Sequence, residues 1–196
     1  MQVLKDELRE KILISAVKEF SLNGFEKASM RAIAKKSGMT AGNMYRYFKN
    51  KEALFEAVLS PVYSKIVKLI LEYNDPPREK KDIEKVFLNE LVNTIVEIEE
   101  EYRDELLILI EGSKGSRFEF AKDELLRLIE ERFRDIIKNN VENENLKDAK
   151  MWAKIAAAGL VEGMVIILKD KNGTENKKSV VNSLVKMYIE QIVGLY

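Results

Sequence analysis

Apolar residues recur every three or four positions through most of the chain, and no stretch alternates apolar and polar in the manner of a half-buried strand. Between Lys5 and Leu22 the residues Leu8, Ile12, Leu13, Ala16, Val17 and Phe20 share one stripe, which predicts an amphipathic helix. Asn23-Gly24 ends it, because glycine readily adopts the left-handed geometry of a helix terminus. Ser29 is a good N-cap for a second helix that turns Met30, Ile33 and Ala34 inward and stops at Gly38. A third helix is expected to open at Thr40 and run through Phe48. Asn50 caps a fourth, with Glu52 in the first turn where a carboxylate suits the positive end of the helix dipole. That helix continues through Leu54, Phe55, Val58, Val62, Ile66 and Leu69 to about Tyr73. Pro61 lies inside it and is expected to kink it, since proline supplies no N–H for the carbonyl of Ala57.

Asn74-Asp75-Pro76-Pro77 breaks the pattern. Five further helices are predicted near 82–100, 103–113, 118–140, 147–169 and 177–194, joined by Gly- and Asn-containing connectors. The chain therefore reads as all-α, with about nine helices and no internal repeat.

Composition narrows the chemistry. The 196 residues are 46% hydrophobic and 34% charged, with 3 prolines and 9 glycines, as expected of a well-folded helical protein. Cysteine and histidine are both absent. That excludes disulfides, Cys/His zinc sites, a catalytic thiol and a histidine general base. No catalytic residues, metal or cofactor are expected, and the chain is not read as an enzyme. The opening MQVLKDELREK is too charged to be the apolar core of a signal peptide. The most apolar stretch, Ile155 to Leu168, is interrupted by Glu162 and is short for a bilayer span. A cytoplasmic protein without a membrane partner is the expectation.

The zero net charge hides an uneven distribution. Residues 1–51 carry 11 Lys/Arg against 5 Asp/Glu, a net of +6, and the remainder carries −6. Within the basic segment, the second and third helices are separated only by Lys36-Ser37-Gly38-Met39-Thr40, the layout of a helix–turn–helix. Met44 and Phe48, four apart, face inward and leave Ala41, Gly42, Asn43, Arg46 and Tyr47 outward. Small residues there permit a close backbone approach to DNA, Arg46 suits guanine or a phosphate, and Asn43 suits adenine or a phosphate.

Residues 24–55, GFEKASMRAIAKKSGMTAGNMYRYFKNKEALF, resemble the DNA-binding domain of TetR-type transcriptional regulators. The resemblance rests on Gly24-Phe25, the Arg31-Ala-Ile-Ala34 run, Gly38 and the stretch from Tyr45 to Phe55. It implies a three-helix DNA-binding domain over residues 1–51, joined through helix four to a larger effector-binding and dimerisation domain over 52–196. It also implies roles. Positions matching Ser29 and Arg31 touch a phosphate and reach toward the groove. Those matching Thr40, Ala41, Gly42, Asn43 and Tyr45 face bases or nearby backbone, and those matching Tyr47 and Lys51 grip phosphates. Ala41 departs from the longer polar residue common at its position, which shifts base readout toward Arg31, Arg46 and contact with thymine methyls.

The rest of the chain carries two expectations. The helix at 177–194 has apolar rows Val180-Leu184-Tyr188-Ile192 and Val181-Val185-Ile189-Val193, and the helix before it is apolar nearly all round. Such helices need cover on every side, so a homodimer interface is expected through Ala156, Gly159, Gly163, Leu184, Val185, Tyr188 and Ile192. The resemblance implies an effector pocket in the preceding helices, with Phe87, Leu91, Ile95, Leu107 and Leu126 as apolar walls and Glu111 or Glu162 as charges within reach of an unknown small molecule. The bland reading of those two carboxylates is a rim position or a structural ion pair. The acidic run from Glu97 to Glu105 reads as a solvated helix end. Gly112-Ser-Lys-Gly115 lacks the strand and the Gly-Lys-Ser/Thr ending of a phosphate loop. The expected function is a ligand-responsive homodimeric repressor that binds an inverted repeat in double-stranded DNA. The alternative is a DNA-organising or adaptor dimer without an effector.

Overall fold

The chain was described from a computed structural model covering residues 2–72, 88–140, 148–170 and 176–194. The described residues form eight helices and no strands: α1 (Gln2–Lys27), α2 (Met30–Lys36), α3 (Ala41–Met44), α4 (Lys51–Glu72), α5 (Leu88–Glu111), α6 (Ala121–Asn140), α7 (Ala149–Lys169) and α8 (Lys177–Gly194). The fold is all-α, as the periodicity indicates.

One boundary departs from expectation, the end of the third helix. The helices expected at 82–100 and 103–113 meet in α5 across a kink at Tyr102 (φ −130°, ψ 28°), the point at which they were expected to divide, and residues 82–87 lie outside the described ones. The third helix ends at Met44 instead of Phe48, and the chain closes in tight turns, with Arg46 N–H on the Asn43 carbonyl (3.2 Å) and Tyr47 N–H on that of Met44 (2.9 Å). Gly42 and Asn43 are poor helix formers, so the last turn tightens toward i→i+3 bonding. Helix α4 runs through Pro61 as a single element, with the proline ring on an exposed face.

The molecule divides into two compact units, 1–65 with 102–122, and 66–101 with 123–196. The boundary expected at residue 51 lies at the start of α4, whose first turns belong to the first unit. Two helices contribute to both units: α4 passes from the first to the second after Lys65, and α5 passes back at Tyr102.

In the first unit, Ile12, Ala16 and Phe20 of α1 meet Ile33 and Ala34 of α2, Met44 of α3, and Leu54, Phe55, Leu59 and Val62 of α4 in a fully buried core. Phe55 is its aromatic hub, with Phe20 edge-on at 4.7 Å and Phe25 at 4.9 Å. In the second unit, Val92, Phe133, Ile137, Ala149, Ala153, Ala156, Ala157, Val181 and Val185 form the core. One buried carboxylate, Glu99, accepts from Lys177 Nζ at 3.0 Å and is only 2% exposed. The acidic run of α5 is thus not wholly solvated: burying a carboxylate is tolerable because the lysine at the start of α8 pairs with it.

Candidate nucleic-acid interface

The reader helices are built by caps. Ser29 Oγ faces Ala32 N–H at the start of α2, and Thr40 Oγ1 accepts from Asn43 N–H (3.2 Å) at the start of α3. Gly38 turns between them at φ 73°, a conformation that disfavours any side chain. Met44 and Phe48 are buried, as their spacing indicates. Ser29, Arg31, Thr40, Gly42, Asn43, Tyr45 and Arg46 are exposed, and Ala41 and Tyr47 are half-buried. A Cβ added at Gly42 would meet no protein atom within 4 Å. Packing therefore does not require glycine there.

Behind the readers sits a carboxylate whose role is not visible in the hydrophobic pattern. Glu19 of α1 is buried and accepts from Asn23 Nδ2 (3.0 Å), Ser29 N–H (3.4 Å) and Lys36 Nζ (2.7 Å). It holds the cap and the last residue of α2 against α1. The Lys36 ammonium keeps this carboxyl below the ordinary range, and the Ser29 and Asn23 hydrogen bonds act in the same direction against the cost of burial.

Lys51 occupies a different environment from the one expected of a phosphate ligand. Its Nζ donates to the carbonyls of Phe25 (2.6 Å), Glu26 (3.0 Å) and Ala28 (3.3 Å), and lies 4.5 Å from the centre of the Phe25 ring. The turn it grips begins at Gly24 (φ 62°, ψ 179°), where Phe25 N–H donates to the Gly112 carbonyl at 2.7 Å. The segment after α5 completes the surround. Lys114 pairs with Glu26 at 3.8 Å, Arg117 N–H donates to Glu52 Oε1 at 2.9 Å, and the Arg117 guanidinium pairs with Glu56. Phe118 packs on Tyr63 at 5.6 Å. The connector set aside as not a phosphate loop is instead a brace for α1 and α4, joined by contacts that no local pattern announces.

The other expected site residues divide clearly. Leu91, Ile95 and Leu126 pack around the second unit's core, and Leu107 is half-buried in the first unit. Phe87 lies outside the described residues. Glu111 and Glu162 are exposed and belong to different units. Ala156 and Val185 are buried within the single chain. A Cβ on Gly159 would fall 2.1 Å from the Tyr188 hydroxyl, and one on Gly163 would fall 2.7 Å from Leu184. These glycines therefore seat side chains of α8 from the same chain. The side chain of Ile192 lies outside the described residues. Apolar side chains left exposed on the last two helices include Met151, Ile155 and Ile166 of α7, the last 70% exposed, with Val180 and Met187 of α8. On α7 these residues follow helical spacing along one face. This helix is long and apolar enough to cross a bilayer by length and composition, but Ala153, Ala157, Val165 and Leu168 are buried inside the protein.

Comparison with known proteins agrees with this layout. Residues 12–58 match the family described as bacterial regulatory proteins, tetR family. The chain is 42% identical over 59 residues to the HTH-type transcriptional regulator UidR of Escherichia coli (strain K12), covering 30% of each protein. It is 40% identical over 63 residues to the uncharacterized HTH-type transcriptional regulator YdgC of Bacillus subtilis (strain 168), covering 32% of each. The match thus spans about a third of the length of these curated relatives. Across almost the whole chain the fold is similar to two solved structures. One is a Mesorhizobium loti MAFF303099 protein described as a TetR-family transcriptional regulator, with TM-score 0.56, 18% identity and 97% of each chain covered. The other is NalD, the secondary repressor of the MexAB-OprM multidrug efflux pump in Pseudomonas aeruginosa, with TM-score 0.52, 16% identity and 93% and 95% of the two chains covered. The helix–turn–helix segment is thus similar to that of the tetR family of bacterial regulatory proteins, and the whole chain is similar in fold to these two solved structures.

Proposed function

We propose that the chain is a cytoplasmic, homodimeric transcriptional repressor that binds an inverted-repeat operator in double-stranded DNA and releases it when a small-molecule effector binds the second unit. The observation that carries this reading is the exposed polar face from Ser29 and Arg31 to Asn43 and Arg46, set over buried Met44 and Phe48 in the basic part of the chain. A surface of this kind places guanidinium and amide groups within reach of base edges while the helix caps hold the backbone in register. Ser29, Arg31, Thr40, Ala41, Gly42, Asn43, Tyr45, Arg46 and Tyr47 are the proposed contacts.

For the dimer, the uncovered α7–α8 face centred on Ile155 and Ile166 is the proposed contact between copies, because association would remove its apolar side chains from water. Two readers on one dimer match half-sites about 34–36 Å apart. For the effector, support comes from helices shared by the units: a change in the second unit has a covalent route to the reader through α4 and α5.

The test is binding of fluorescent duplex DNA across a salt series, with Arg31→Ala and Arg46→Ala variants beside the parent. Salt-sensitive binding, weakened in both variants, is expected. Equal binding by parent and variants contradicts the proposed surface.

A further inference from the structure

Lys51 has no donor to spare. An ammonium carries three N–H groups and accepts nothing, and three carbonyls, of Phe25, Glu26 and Ala28, lie within 2.6–3.3 Å of its Nζ. The face of the Phe25 ring covers the same charge. A phosphate oxygen at this ammonium would have to displace one of these carbonyls.

What the ammonium grips is the hinge of the reader. The turn it binds begins at Gly24 and leads directly into Ser29, the cap of α2. From there α2 passes through Gly38 into α3. Lys51 itself is the first residue of α4, fixed behind it by Asn50 Oδ1, which accepts from Ala53 N–H at 2.7 Å. One side chain thus ties the entry of the reader to the helix that continues into the second unit. The same turn is held from its other sides by Gly112 through Phe25 N–H and by Glu19 through Ser29 N–H.

We infer that Lys51 is a positioning residue for DNA reading: its ammonium clamps the turn at residues 25–28 to the start of α4 and fixes the pose of α2 and α3, and it does not serve as a phosphate ligand. The inference rests on the proposed DNA-binding function, which it deepens. Two substitutions separate the roles. Lys51→Met removes both charge and donors. Lys51→Arg keeps the charge, but its planar fork cannot aim three donors at these carbonyls.

The experiment measures DNA affinity of the full chain against salt concentration, at a temperature where circular dichroism shows the variants folded. Both variants are expected to bind at least tenfold more weakly, with the parent's slope of log affinity against log salt retained. A slope reduced by about 0.9 in Lys51→Met, with parental affinity in Lys51→Arg, identifies a phosphate ligand and overturns the inference. Parental affinity in both folded variants overturns it too, leaving Lys51 a purely structural group. A second measurement needs neither a variant nor DNA. The Lys51 ammonium of the parent protein should give a ¹H–¹⁵N signal protected from solvent exchange, and rapid exchange contradicts the clamp. Failure of the parent to bind any DNA while the ammonium is protected would reject the functional reading separately.

Discussion

Glu19 shows how one buried charge organises a surface it does not reach. With three donors from three places, it fixes both ends of α2 relative to α1. Replacing it with glutamine keeps the shape but loses the ion pair, and is expected to lower stability by about 2 kcal/mol in urea unfolding at neutral pH. Because the folded carboxyl titrates below its unfolded value, its contribution is present above the unfolded pKa and is lost as pH falls through the folded one. The difference in unfolding midpoint between parent and Glu19→Gln should therefore narrow in acid. A constant difference from neutral to acid pH contradicts the role assigned to Lys36. Gly24 is the other decisive residue: its dihedrals are nearly closed to side chains, and a Cβ there would stand 3.3 Å from the Gly112 carbonyl. Gly24→Ala is expected to cost about 1–3 kcal/mol, read from thermal unfolding. Of these features the sequence shows the glycine, because a helix stop is local. It does not show the roles of Glu19, Lys51 or Glu99, whose partners, apart from Asn23 beside Glu19, lie 10 to 78 residues away and leave no periodic signal.

At the level of elements, periodicity located the helices well because each needs one buried stripe and leaves a repeating trace. The expected ranges 147–169 and 177–194 coincide closely with α7 and α8. The short third helix was harder to read, since four residues hold barely one turn and its apolar anchors Met44 and Phe48 straddle its end. Small residues of α7 were legible as sites of close approach, but spacing alone does not say whether the approaching helix is from the same chain. Tyr188 and Leu184 answer this for Gly159 and Gly163. Gly159→Ala should force the Tyr188 ring aside and destabilise the protein by about 1–3 kcal/mol. The same change on a Tyr188→Ala background should cost less, and equal losses in a double-mutant thermal unfolding series would contradict the contact.

For the whole molecule, local pattern specifies three proposed sites to different degrees. The exposed polar face proposed to meet DNA was legible almost residue by residue, because capping, burial and a basic bias converge on one short segment. A proposed effector site is not legible in this way, since apolar walls look like core in sequence, and Leu91, Ile95 and Leu126 do pack against core. The proposed dimer face lies between these cases. An Ile155→Lys, Ile166→Lys double variant should shift the protein from dimer to monomer in sedimentation and weaken DNA binding, while helical content stays unchanged. Retention of the dimer contradicts the proposed face.

The central claim is tested most directly by selecting sites from random duplex DNA with the purified protein at moderate salt, beside an Arg46→Ala, Tyr47→Ala variant. The expected result is an enriched inverted repeat whose half-sites are one helical turn apart, lost in the variant. Binding without an enriched sequence, or enrichment that survives in the variant, would contradict an operator-reading dimer that uses this face.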